Sequence, residues 1–181
     1  GSSLSRLDIA VDLHETGAFC ELNGLYMPTG RQHCDHHTQI DHRAPHCISR
    51  EHYRGILDGR AHGVFNGKIV VHEGASGTDS KQSNANLLLS DKAEIDAKPE
   101  LVIHHDDVKA AHGCTVGQLD DQQLFYMKSR GLSEEQARQL LTFAFADTVL
   151  TGISHPALRR FIEQAAFAKL PNLADMDGLL G

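Results

Sequence analysis

Apolar and polar residues alternate with period two from Leu7, in L-D-I-A-V-D-L-H, as a strand with one buried face requires. Short extended segments of the same kind recur at Phe19–Tyr26, Val64–Val71, Asn86–Leu89, Ala93–Asp96 and Leu101–His105. Gly, Asn, Asp or Pro separates many of them. No apolar helical stripe of useful length occurs before residue 120, so the pattern predicts a sandwich, a barrel or a solenoid. Strict self-similarity is absent, which permits a solenoid without requiring one. Ser49–Leu57, S-R-E-H-Y-R-G-I-L, fits either a helical turn or a further irregular strand.

After Leu119 the period changes to that of helices. Asp120 is placed to cap a first helix, with Gln123 at N3 and Gly131 at its far end. Ser133 opens a second, with Gln136 in the capping-box position. Its predicted apolar stripe is Ala137, Leu140, Leu141, Ala144, Phe145 and Val149. Pro156 favours a third start, continued by Phe161, Ile162, Ala165 and Ala166. Short helices of this kind need a partner surface, supplied by the β-rich body or by another protein.

Length and charge narrow the function classes. The 181 residues suffice for one core with a small appended layer. A net charge of -7, spread along the chain, argues against a nucleic-acid surface. No run approaches the roughly 18 apolar residues of a membrane span. Four cysteines are too few for a disulfide-dense secreted scaffold, and reduced thiols in a cytoplasmic protein are expected.

Three stretches carry candidate chemistry. The run H-C-D-H-H at 33–37, with His42 and His46-Cys47 beyond it, holds five histidines and two cysteines in 15 residues. Cys34, His36 and Cys47 are the candidate metal ligands there, although the spacing matches no standard zinc site. In an extended chain His36 and His37 point to opposite faces and cannot easily share an ion. The Gly-rich run G-A-S-G-T-D-S-K at 74–81 lacks the G-K-[ST] ending of a phosphate loop and is expected to be a polar loop. The third stretch, K-A-A-H-G-C-T-V-G at 109–117, places His112 and Cys114 where the strand pattern gives way to helices. If extended, their Cβ atoms lie on one face roughly 6–7 Å apart, too far for a nucleophile–base pair without rotamer adjustment. Neither an esterase elbow nor a zincin motif is present.

Several blocks taken together resemble the SufB/SufD scaffold family of the Suf iron–sulfur cluster assembly system, on its SufD side. They are L-N-G-L-Y at 22–26, D-H-R-A-P-H-C-I-S-R at 41–50 and Y-R-G-I-L-D-G-R-A-H-G-V-F-N-G-K at 53–68. T-D-S-K-Q-S-N-A-N-L-L-L-S at 78–90, A-E-I-D-A-K-P-E-L at 93–101, D-D-V-K-A-A-H-G-C-T-V-G-Q-L-D at 106–120 and L-F-Y-M-K-S-R-G-L at 124–132 complete the set.

The resemblance implies a mainly β fold with an α C-terminus: a right-handed parallel β-helix, then a small helical domain. Residues 1–109 would be the C-terminal portion of the β-helix, and 110–181 the junction and helical ATPase-binding domain. An N-terminal portion of the usual polypeptide would be missing. The implied function is a noncatalytic scaffold that pairs with a SufB-like subunit and docks a SufC-like ABC-type ATPase. The exposed faces of 120–130 and 133–150 would meet that ATPase, supported from within by Leu140, Leu141, Ala144 and Phe145. No cofactor would stay bound to the isolated chain, while a transient iron–sulfur cluster would form in the complex. In the family pattern K-C-S-H-G-A-T-V-G, His112 stands at the histidine implicated near the cluster site. Ala110 replaces the pattern's cysteine, and Cys114 occupies its small-residue position, where it would compensate or merely pack. The alternative is a metal-dependent β-helix enzyme using the 33–47 region. An exposed end of a truncated β-helix would also favour non-native self-association.

Overall fold

The computed structural model describes residues 2–169. Eight strands come first: β1 (Leu4–Leu13), β2 (Phe19–Tyr26), β3 (His33–His42), β4 (Ile48–Leu57), β5 (His62–Val71), β6 (Thr78–Leu88), β7 (Glu94–Ile103) and β8 (Val108–Gly117). They form two sheets in which every pairing is parallel and skips one strand, in the orders β1-β3-β5-β7 and β2-β4-β6-β8. Each turn of chain lays one strand in each sheet, which makes a β-solenoid of four turns. His33 pairs with His62 and His62 with Glu94, so the chain returns to the same place after one full turn.

Ser49–Leu57 belongs to a regular strand rather than a helical turn. The segments expected separately at 93–96 and 101–105 are one strand, β7, which runs through Pro99. Proline is tolerated because β7 is the edge of its sheet. The Gly-rich run ends in a turn at Gly77, and Thr78 already begins β6.

The interior is divided by chemistry. The β1–β7 sheet contributes Ile40, Phe65, Ile69 and Val71, all fully enclosed. The facing sheet turns polar side chains inward. His42 Nε2 meets Ser49 Oγ at 2.9 Å, and Ser49 meets Ser80 at 2.8 Å. Gln82 Nε2 donates to Glu51 Oε2 at 2.6 Å. The Tyr26 hydroxyl donates to Asn86, whose Nδ2 donates to Asn84 at 2.6 Å. These bonds within stacked rungs make the burial tolerable, while His42 Nδ1, Glu51 Oε1 and Gln82 Oε1 are left buried without a partner among the described residues. A Cβ at Gly55 would overlap the Tyr26 ring and Asn86, so glycine there leaves room for the tyrosine.

Helices α1 (Asp121–Ser129), α2 (Glu134–Leu150) and α3 (Pro156–Phe167) follow. Asp120 caps α1 by accepting from Gln122 and Gln123, and Gly131 follows its end with a positive φ. Ser133 and Gln136 form a complete capping box on α2. The buried face of α2 is Ala137, Thr142, Ala146, Val149 and Leu150, rotated from the predicted stripe. Ala144 is exposed, and Leu140, Leu141 and Phe145 are only half-buried. Small residues occupy the contact because α2 lies close against the solenoid: Ala146 packs among Met27, Ile56 and Leu87. Leu140, Leu141 and Phe145 flank that line, and Val149 and Leu150 complete it at the C-terminal end of the helix.

Candidate functional site: the last rung of the solenoid

β8 carries both residues of the junction. Among the described residues it pairs only with β6, placing Ala110 beside Ser80, His112 beside Gln82 and Cys114 beside Asn84. Residues 110, 112, 114 and 116 therefore continue the polar inward columns of the solenoid onto its last strand. In a parallel ladder, successive residues turn their N–H and C=O groups alternately to the two neighbouring strands. The bonds Ile48 N–H to Ala18 and Asp79 N–H to Cys47 fix that alternation across the second sheet. Lys109, Ala111, Gly113 and Thr115 then point to β6. Ala110, His112, Cys114 and Val116 point their backbone groups at the open edge.

The neighbouring edge differs. Glu94 N–H and His104 N–H bond to Ala61 and Val71, so the even residues of β7 face β5. Its odd residues face outward, and Pro99 is among them. The open edge of β7 therefore lacks one N–H at its centre. Ile103 and Val116 leave apolar surface on this rung. Unpaired edge groups beside exposed apolar side chains are the features of a strand-docking surface.

The two junction side chains have different environments. His112 is exposed, with no hydrogen bond to any described residue. Cys114 is half-buried and its Sγ lies 3.6 Å from Asn84 Oδ1, to which the thiol donates. Burial pushes the Cys114 thiol up, favouring the neutral form, which is a poor metal ligand.

The 33–47 region does not converge. Cys34 Sγ and His36 Nε2 approach to 3.4 Å inside the solenoid, where His36 sits edge-on to Tyr26 and Tyr53. His37 is on the opposite face with Asp35, as period two requires. Cys47 is fully buried in a separate cluster with Leu13 and Ile40, its thiol donating to the Glu15 carbonyl at 3.3 Å. Burial lowers the His36 and His42 pKa values, against the pull of Asp35 and Asp41, which favours the neutral form of both rings. Among the described residues, no group of three or more His, Cys, Asp and Glu side chains could hold a metal ion.

One buried acid, Glu51 on β4, has no signal in the local sequence. Glu51 is fully enclosed; burial pushes its carboxyl up, with the Gln82 hydrogen bond opposing the shift. Because its folded pKa lies above its unfolded one, Glu51 contributes stability at acid pH. That contribution is lost as pH rises through the folded value. Glu51→Gln retains an acceptor for Gln82 and removes the charge. The variant is expected to be more stable than the parent at neutral pH, by an amount that shrinks toward pH 4. Denaturant unfolding at several pH values checks this, and parallel profiles would contradict it.

The fold and the site define a parallel β-solenoid with a capping helical segment, open for strand pairing at its last rung. A family model described as "SUF system FeS cluster assembly, SufBD core domain" matches residues 1–145, and the chain belongs to that family. It is 35% identical over 171 residues to the iron–sulfur cluster assembly protein SufD of Escherichia coli, covering 94% of this chain and 40% of that protein. It is 39% identical over 164 residues to the SufBD family protein slr0076 of Synechocystis, covering 91% and 36%. SufD of Bacillus subtilis is 34% identical over 141 residues, covering 77% and 32%. The chain thus spans roughly two fifths of the relatives' length or less. No described helix is long and apolar enough to cross a membrane.

Proposed function

We propose that this chain is part of a noncatalytic, cytoplasmic scaffold subunit for iron–sulfur cluster assembly. Its last rung pairs with a SufB-like subunit, and its helices dock a SufC-like ATPase that performs the ATP hydrolysis. The observation that carries this reading is the open β8 edge, which presents His112 at the end of a solenoid of the SufBD family. A closed solenoid end would offer no strand to a partner, whereas β8 offers four consecutive outward-facing backbone pairs.

The nascent cluster is cargo in this scheme. His112 offers one borderline nitrogen ligand, which suits a site whose product must leave. Ala110 supplies no sulfur, and the Cys114 thiol is committed to Asn84. The remaining ligands must come from the facing subunit. On the helical side, Phe125 and Tyr126 of α1 and Leu158 and Phe161 of α3 are exposed apolar residues available to the ATPase.

Elemental analysis of the purified chain separates this reading from a metal-dependent enzyme built on 33–47. The expected result is substoichiometric metal, unchanged by replacing Cys34 or His36. One tightly held metal per chain, lost on either replacement, would defeat the scaffold reading.

A further inference from the structure

One inward column crosses the second sheet from rung to rung as Leu22, Glu51, Gln82 and His112, each in register with the next. Glu51 is completely enclosed and Gln82 is 3% exposed, while His112 lies on the open last strand. In the 2.6 Å contact Gln82 Nε2 donates to Glu51 Oε2, which places the NH₂ head of the amide on the carboxyl. The amide carbonyl is therefore its other head. Oε1 of Gln82 is buried and has no hydrogen-bond partner among the described residues.

A buried carbonyl without a donor is costly, and its neighbours restrict where one can come from. Gly67, on the opposite sheet, leaves the space that the amide fills: a Cβ there would overlap Gln82 Nε2. Glu51, on the rung behind, already takes the NH₂. The next in-register residue on the open side is His112, about 4.8 Å away along the ladder, a spacing that a carbonyl and an imidazole N–H can bridge.

We propose that Gln82 is a positioning residue for His112: a turn of the imidazole, which makes no hydrogen bond to a described residue in this structure, lets the buried Oε1 accept the N–H of one ring nitrogen and so selects the tautomer. The other nitrogen then keeps its lone pair and is turned toward the open rung. Glu51 acts one rung further back, holding the amide the right way round. This device rests on the reading of His112 as the site group of the scaffold face. An imidazole binds a metal through its unprotonated nitrogen, and an acceptor on the other nitrogen fixes both tautomer and ring direction. Gln82 supplies such an acceptor without adding a charge.

The test is ¹⁵N NMR of the histidine rings in the chain, at a pH where imidazole is neutral. The His112 signals are identified by their loss in His112→Asn. The expected tautomer ratio for His112 differs several-fold from that of His14, an exposed histidine far from this column. Gln82→Leu is expected to return His112 to the His14 ratio. A wild-type His112 with the His14 ratio would overturn the proposal without any variant, and so would a ratio unchanged in folded Gln82→Leu. The readout involves no cluster, so the underlying reading fails separately: a biased tautomer in a complex that assembles clusters without His112 would sink only the site assignment.

Discussion

His112→Ala in the full-length subunit is expected to cut cluster formation roughly tenfold or more while leaving complex assembly intact. Even an outer-shell change at a metal site typically costs 10–100-fold in affinity or activity, and loss of a ligating nitrogen should cost at least as much. The stability cost is expected to be modest, about 1 kcal/mol, because the side chain is exposed and the one contact proposed for it is with Gln82 Oε1. Function and folding therefore separate cleanly at this position. Cys114→Ala is expected to do far less, since its thiol is held neutral by burial and directed at Asn84. The comparison requires purified, assembled complexes, with iron and acid-labile sulfide measured per complex. An assembled His112→Ala complex with normal yield would remove His112 from the site.

The second large effect is expected on the helices. Phe125 of α1 is 75% exposed, and Tyr126 beside it lies under the Arg130 guanidinium at 5.2 Å. A large aromatic side chain held out on a capped helix is the kind of anchor that dominates an interface. Phe125→Asp is expected to weaken binding of the cognate ATPase by at least about 2 kcal/mol, some thirtyfold in Kd. Pairing with the scaffold partner should persist, because the helix and the β8 edge are different surfaces joined through residues 118–120. Titration calorimetry with the ATPase measures this directly. Unchanged affinity would move the docking surface to another face of the helices.

Much of this architecture is legible in the chain, and the failures have physical causes. The helix boundaries follow from local chemistry: Asp120, Ser133, Gln136, Gly131 and Pro156 act within a few residues of themselves. Period two identifies strands, but it also assigns polar residues to solvent. In T-D-S-K-Q-S-N-A-N the residues Ser80, Gln82, Asn84 and Asn86 point inward, so a buried strand resembles a loop. Ser49 and Glu51 meet Ser80 and Gln82 from one rung away, 31 residues distant in sequence, and Tyr26 meets Asn86 from two rungs away, 60 residues distant, beyond the reach of any local pattern. The buried face of α2 departs from its apolar stripe for a related reason, since close approach to the solenoid favours Ala137, Thr142 and Ala146 over the larger Leu140 and Leu141. The site was legible in part: His112 and Cys114 share a face, as period two requires. The neighbours that distinguish them, Gln82 and Asn84, emerge only from the strand register.

Amide hydrogen exchange along β8, in the chain alone and in complex with the scaffold partner, tests most directly whether the last rung is the pairing edge. Alone, the amides of Ala111, Gly113 and Thr115 should be protected by β6, while those of Ala110, His112, Cys114 and Val116 exchange freely. In the complex, the second set should become protected as a partner strand supplies acceptors. If those four amides exchange as fast in the complex as in the free chain, the partner does not pair with this edge.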